Sequence, residues 1–135
     1  MNGRKLVRLE LYFYLNNYTG KCIITYMKDI VFCGRSLDAI KAFTPRARQE
    51  TGYQLDKVQQ GDNPTDWKPM PLIGAGVREI RITDANGIFR VIYVAHDDDA
   101  VYVLHAFQKK SQKTSLLDIE AATRAFKQLV KERQR

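Results

Sequence analysis

Hydrophobic and polar residues alternate along three stretches in the second half of the chain, which is the pattern of β-strands. Asn86-Gly87 lies between the first two stretches, and this pair is typical of two-residue hairpins, so we place the first hairpin tip there. Asp97-Asp98-Asp99 makes the second turn. The pattern therefore predicts an antiparallel β-meander, with strands over 77–83, 88–95 and 101–107.

Helical periodicity precedes the meander. Thr44-Pro45 is a helix start signal, because threonine caps a helix and proline suits the first helical position. The helix that follows, up to about Gln60, carries an apolar stripe made of Ala47, Thr51, Leu55 and Val58. A short strand at 28–33 and a short helix capped by Ser36 come before it, and residues 61–76 read as a long irregular loop.

Helical periodicity returns after the meander, over 116–132. The predicted buried side of this last helix consists of Ile119, Ala122, Phe126, Leu129 and Val130. The whole order favours an α+β domain with helices packed on one sheet face: an antiparallel β-meander sheet, two N-terminal helices on one face, and a C-terminal helix.

A self-sufficient pattern begins at Met27, so we divide the chain into an extension at 1–26 and one domain at 27–135. The extension reads either as an added hairpin or as an upstream extension from a misassigned start codon. Its apolar run is interrupted by Arg8 and Glu10, which argues against a signal peptide. Two cysteines make no disulfide framework, and no apolar run has the length of a membrane span. We expect a cytoplasmic protein.

The net charge of +7 favours a polyanionic partner. The excess lies at the two ends of the chain, because residues 1–26 carry +3 and residues 108–135 carry +5, while the part between them is nearly neutral. For the C-terminal helix a solvated cationic face is an equally good interpretation of this charge run.

The strand register decides which arginines of the meander can act together. With the tip at Asn86-Gly87, Arg81 and Arg90 share one face as diagonal neighbours, and two guanidinium groups could converge on one phosphate. Arg78 falls on the opposite face, near the strand edge. The simpler interpretation makes Arg81 an ion-pair partner of Glu79 and Arg90 an exposed strand residue.

Further donors surround this pair in the sequence. Lys109, Lys110 and Lys113 follow the third strand directly, and Lys68 in the long loop could reach over the sheet. We place His105 on the same strand face as Val101, Val103 and Phe107, where it is either a buried structural residue or, if exposed, a proton carrier. The sequence shows no P-loop, no Ser-His-Asp order and no metal-ligand spacing.

The segment DWKPMPLIGAGVREIRITDANGIFRVIYVAHDDDAVYVLHAFQKKSQKT resembles the phage-derived, HigB-type branch of the RelE/ParE toxin superfamily. The resemblance covers about residues 28–130, and VYVLHAFQKKSQKT is its most specific part. It implies the toxin of a type II toxin–antitoxin module, a ribosome-dependent endoribonuclease that cuts mRNA without metal or organic cofactor. It also implies a cognate antitoxin, often a helix-turn-helix protein.

Site residues follow from the resemblance by position. The catalytic set is implied to be Arg81, Arg90, Lys109 and Lys110, and we add Lys68, Arg78, His105 and Lys113 as candidate RNA-binding residues. A lysine of the RelE pattern is replaced by Glu79, and its C-terminal tyrosine has no counterpart after Thr114, which leaves the general base open. The alternatives are a ParE-like, non-enzymatic inhibitor of DNA gyrase and a plain RNA- or ribosome-binding module.

Overall fold

The computed structural model describes residues 5–7, 28–95, 100–111 and 113–134, with only the backbone for 5–7. The strands are β1 (Lys5–Val7), β2 (Asp29–Phe32), β3 (Trp67–Pro69), β4 (Val77–Asp84), β5 (Gly87–Ala95) and β6 (Ala100–Lys109). The helices are α1 (Ser36–Lys41), α2 (Pro45–Gln59) and α3 (Leu116–Arg133). Within the described part of the chain, no helix is long and apolar enough to cross a membrane.

The six described strands form one sheet in the order β1-β2-β6-β5-β4-β3. Strands β4, β5 and β6 make the predicted antiparallel meander, and the α+β class is confirmed. The sheet as a whole is mixed, because β2 pairs with β6 in parallel. Two helices separate β2 from the meander, and a connection of that kind lets the chain return in the same direction. Most of the predicted 1–26 hairpin lies outside the described residues, but β1 pairs with β2.

Helices cover both faces of the sheet. Helices α1 and α2 pack on one face, as predicted, over a core that includes Phe32, Ile80, Phe89 and Tyr93. Helix α3 packs on the other face, where the sequence analysis placed no helix, over Val77, Ile92, Val94 and Leu104. The reason lies in β5, whose residues 89–94 are buried without alternation. A strand buried on both sides requires a layer on each side.

The N-terminal helices begin differently from one another. Thr44 caps α2 as predicted, since its Oγ1 accepts a hydrogen bond from the Ala47 amide at 3.2 Å. Ser36 was expected to cap α1, but it is the first helical residue and its hydroxyl donates to the Val103 carbonyl. Ser36 therefore ties α1 to β6 instead of capping the helix.

Two sequence predictions of local structure are wrong, one on the loop at 61–76 and one on the hairpin tip. Residues 61–76 are not wholly irregular, since β3 lies among them and pairs with β4. The first hairpin tip is Ala85-Asn86, because Asp84 pairs with Gly87. Asp84 stabilises this turn by accepting the Asn86 amide at 2.7 Å, and Thr44 donates to the same carboxylate from α2. The Asn-Gly signal is thus shifted by one residue.

The strand β6 contains a β-bulge that changes which side chains face α3. Tyr93 pairs with Val103 and Ile92 pairs with His105, so Leu104 is an extra residue in β6. A bulge of one residue reverses the alternation beyond it. His105 and Phe107 therefore lie on the α3 face, whereas Val101 and Val103 lie on the α1–α2 face, so their predicted common face is wrong.

Candidate nucleic-acid interface on the sheet

A buried ion pair lies at the centre of the α3 face of the meander. Glu79 on β4 is 0% exposed and Arg90 on β5 is 4% exposed, and 3.5 Å separates Arg90 Nε from Glu79 Oε1. Arg90 also donates to the Phe89 carbonyl at 3.0 Å. Burial lowers the pKa of the Arg90 guanidinium, and the carboxylate of Glu79 opposes this shift. Two charges so deep in the protein are tolerated because each compensates the other.

Exposed cations surround this buried pair. Arg81 lies directly opposite Arg90 across the hairpin and is exposed. Lys68, on the edge strand β3, faces Glu79 and brings its Nζ to 3.9 Å from Glu79 Oε1. Arg81 and Arg90 are direct cross-strand partners, and the Cβ atoms of such partners lie about 5 Å apart. They are therefore closer together than the diagonal neighbours that the sequence predicted. The predicted ion pair of Arg81 with Glu79 is replaced by the pairs of Glu79 with Arg90 and Lys68.

Lys109 completes the group from the end of β6. Burial lowers the pKa of its ammonium below the ordinary value for lysine, and the neighbouring charges of Arg90, Lys68 and Arg81 lower it further. Glu79 acts in the opposite direction. Lys109 therefore lies close enough to the other three cations for their charges to act on it. We call Lys68, Arg81, Arg90 and Lys109, together with Glu79, the cationic site.

The loop after β6 is fastened to the cationic site. Thr114 Oγ1 donates to Glu79 Oε2 at 3.2 Å, so the end of the lysine-rich loop is anchored on the buried carboxylate. The next residue, Ser115, caps α3 by accepting the Asp118 amide. Lys110 and Lys113 are exposed between these anchors and the end of β6. Their predicted position beside the arginines is therefore consistent with the loop geometry.

Arg78 and His105 are not part of the cationic site. Arg78 lies on the other face of the sheet, where its guanidinium sits 4.0 Å from the Trp67 ring centroid and donates to Asn63 Oδ1 at 2.8 Å. His105 is half-buried under the first turn of α3, with Nε2 2.8 Å from Asp118 Oδ1 and its ring stacked on Phe107. Both side chains thus have structural contacts.

Comparison with known proteins adds one finding to this geometry. The family described as phage-derived protein Gp49-like (DUF891) matches residues 38–127, two thirds of the chain. The chain belongs to the phage-derived Gp49-like family. This family is RelE-like and toxin-like, and it occurs in toxin–antitoxin systems. No curated protein matches the chain. The matched segment lies inside the predicted domain at 27–135 and contains every residue of the cationic site.

Two residues of this Gp49-like site were missed by reasoning from the sequence. Glu79 stood out as a candidate ion-pair partner of Arg81 and as an acid at a position where the RelE pattern has a lysine. Thr114 stood out only as the end of a motif. The signal for Glu79 was its place on the same strand face as Arg81, next to a strand that carries a second arginine. Its complete burial accompanies the contact that Thr114 makes with its carboxylate, and periodicity does not show a contact of that kind.

Among the described residues, no group of three or more histidine, cysteine, aspartate or glutamate side chains is placed to hold a metal ion. Asp97, Asp98 and Asp99 lie outside the described residues. The side chains that the site does offer are guanidinium, ammonium and hydroxyl groups around one buried carboxylate. Such a set binds phosphate by charge-assisted hydrogen bonds.

Proposed function

We propose that this Gp49-like protein is the toxin of a type II toxin–antitoxin module, of the HigB-type branch, and that it cleaves mRNA on the ribosome. The observation that supports the proposal best is the convergence of exposed Arg81, exposed Lys68 and half-buried Lys109 around the buried Glu79–Arg90 pair. Cations on strands are preorganised, so they need little rearrangement when charge develops on a phosphate. The partners of such a protein are mRNA, the ribosome and an antitoxin, which we expect to be a helix-turn-helix protein of the cytoplasm.

The proposed reaction uses the RNA's own 2′-hydroxyl as nucleophile. The 2′-oxygen forms a bond to the adjacent phosphorus while the bond from phosphorus to the 5′-oxygen breaks, which yields a cyclic phosphate and a free 5′-hydroxyl. Arg81 and Lys68 stabilise the negative charge that develops on the non-bridging oxygens. The 2′-hydroxyl proton passes to a base, and the leaving 5′-oxygen receives a proton, which we assign to exposed Lys110 after β6.

Arg81 and Arg90 differ in solvent exposure, and we assign them different roles. Arg81 is exposed and can contact a phosphate, whereas Arg90 is 4% exposed and is held by Glu79 and the Phe89 carbonyl. We therefore assign Arg90 as a positioning residue that holds the strands and the local field, and Arg81 as the arginine that touches the substrate. Arg78 has no part in this reaction, because it lies on the opposite face.

Transcript ends provide the direct test of the proposed function. Brief expression of the chain, followed by mapping of mRNA 5′ ends, is expected to show new ends within translated frames and linked to codon position. The cuts should vanish when translation is blocked before expression. Intact mRNA together with DNA damage would instead identify a gyrase inhibitor, and ribosome binding without cuts would identify a plain binding module.

The pH dependence of cleavage tests which residue is the general base. We assign Lys109 this role because its lowered pKa gives a larger neutral fraction than an ordinary lysine has, and only the neutral amine accepts a proton. The cleavage rate should rise with pH and level off below 10.5, the ordinary pKa of lysine. Lys109→Arg should abolish this rise, since an arginine stays charged throughout the range. An unchanged pH profile in Lys109→Arg would show that another group is the base.

A further inference from the structure

Helix α3 carries a row of cations that the cleavage site does not use. Arg124, Lys127 and Lys131 are exposed and spaced three and four residues apart, so they lie on one side of the helix, away from the buried Ala122 and Leu129. The row spans about 10 Å along the helix axis. We call these three residues the α3 ridge. A polyanion that lies along the helix would meet all three.

A cleft runs beside this ridge. It has a volume of about 430 Å³ and lies between α3, the strand β6 and the turn from β2 to α1. Its floor is apolar and includes Leu104, Ala125 and Leu129. Arg35 and Arg124 stand on its two sides, and His105 and Gln128 supply polar groups on its walls. We call this space the α3 cleft.

The lining of the α3 cleft fits a flat, partly polar group attached to an anion. Unpaired RNA bases are bound in proteins by stacking on guanidinium planes or aromatic rings and by hydrogen bonds to their edges. Arg35 and Arg124 offer such planes. Gln128 and Glu132 place an amide and a carboxylate on the α3 side of the cleft, where Gln128 Nε2 donates to Glu132 Oε1 at 3.3 Å. Arg35, which lines the cleft, forms an exposed ion pair with Asp38 at 3.9 Å.

The ridge, the cleft and the cationic site lie on the same face of the sheet. His105, which lines the cleft, and Lys109, which belongs to the cationic site, are on one strand and about 13 Å apart. A single strand of a few nucleotides covers that distance. We propose that α3 is a second RNA-binding surface, with phosphates on Arg124, Lys127 and Lys131 and one unstacked base in the α3 cleft. The proposal rests on the proposed function for its RNA, and it adds where the strand is held away from the cut.

Equilibrium binding tests the ridge separately from cleavage. The probe is a fluorescent 2′-O-methyl RNA of ten nucleotides, which lacks the nucleophile and cannot be cut. The double variant Arg124→Gln with Lys131→Gln is compared with Lys41→Gln with Arg46→Gln, which removes the same charge from exposed positions on the opposite face. The ridge variant should bind about tenfold more weakly, and its salt dependence should fall by about 1.4 in log–log slope, since each single-strand phosphate contact contributes about 0.7. The control variant should change little.

A variant that fills the α3 cleft tests whether an RNA base binds there. Ala121 lines the cleft, and Ala121→Leu keeps helix propensity while it occupies the space. This variant should weaken binding of the base-containing RNA severalfold and leave binding of an abasic oligomer of the same length unchanged. Thermal unfolding of both α3 variants should match that of the parent chain, which excludes a folding defect.

Two outcomes would overturn the proposal, and two more would separate it from the proposed function. Equal losses in the ridge and control variants would mean that only net charge matters. If the ridge variant keeps its RNA affinity but loses binding to an oligoglutamate peptide, α3 is a docking surface for an acidic protein. If the parent chain binds the probe through α3 yet never cuts mRNA, the second surface stands and the cleavage proposal fails. If the parent chain cuts mRNA but the ridge variant binds the probe as tightly as the parent does, the cleavage proposal stands and the second surface fails.

Discussion

Arg90→Ala is expected to lower the free energy of unfolding by about 3–5 kcal/mol, because it leaves the fully buried carboxylate of Glu79 without its main partner. Lys68 is half exposed and 3.9 Å away, so it compensates only in part. Urea denaturation measures the change. An Arg90 variant therefore reports on stability before it reports on any contact with substrate.

A double-mutant cycle distinguishes a lost ion pair from a lost side chain. Glu79→Leu with Arg90→Met replaces the pair by apolar groups of similar size, and it should recover most of the stability that either single change removes. The matched control is Arg81→Ala, since Arg81 is the direct cross-strand partner of Arg90 but is exposed. If the two single changes and the double change were additive, the buried pair would not be the source of the effect.

Arg81→Ala is expected to reduce mRNA cleavage by about 10²–10³-fold, the usual effect of removing one preorganised donor from a developing oxyanion. The reduction should appear in the maximal rate, and growth arrest should be lost at expression levels where the parent chain arrests growth. The unfolding free energy should change by less than about 0.5 kcal/mol, because the side chain is exposed.

Arg46→Ala serves as the control for Arg81→Ala, because Arg46 is also exposed but belongs to α2 on the opposite face of the sheet. It should retain cleavage. Full toxicity of the Arg81 variant, with normal amounts of protein, would contradict the assignment of the cationic site. A loss that is equal in both variants would point to general electrostatic attraction and not to a contact with the phosphate.

Particular elements show how far sequence reasoning reached. The common face of Arg81 and Arg90 was predicted correctly although the hairpin tip was placed one residue too late. This happened because the shift turned a diagonal relation into a direct one without moving either arginine to the other face. The same kind of reasoning failed in β6, where the extra residue Leu104 reversed the faces of His105 and Phe107.

The strand β3 and the position of α3 were missed for a physical reason. β3 has three residues and ends at Pro69, so it has no alternation to detect, and it exists through its pairing with β4. An amphipathic helix such as α3 shows that it will pack, but its own periodicity does not tell which face of the sheet receives it. That depended on the burial of β5 on both sides.

Local pattern by itself determined the meander, the cap of α2 at Thr44, the α+β class and the place of the lysine-rich loop beside the arginines. These features depend on residues close together in the chain, where periodicity and capping act. Tertiary structure alone decided that Glu79 and Arg90 are buried together, that Thr114 anchors the loop on Glu79, and that Arg81 remains exposed. Burial of a charge depends on what distant segments pack over it, and no local pattern records that.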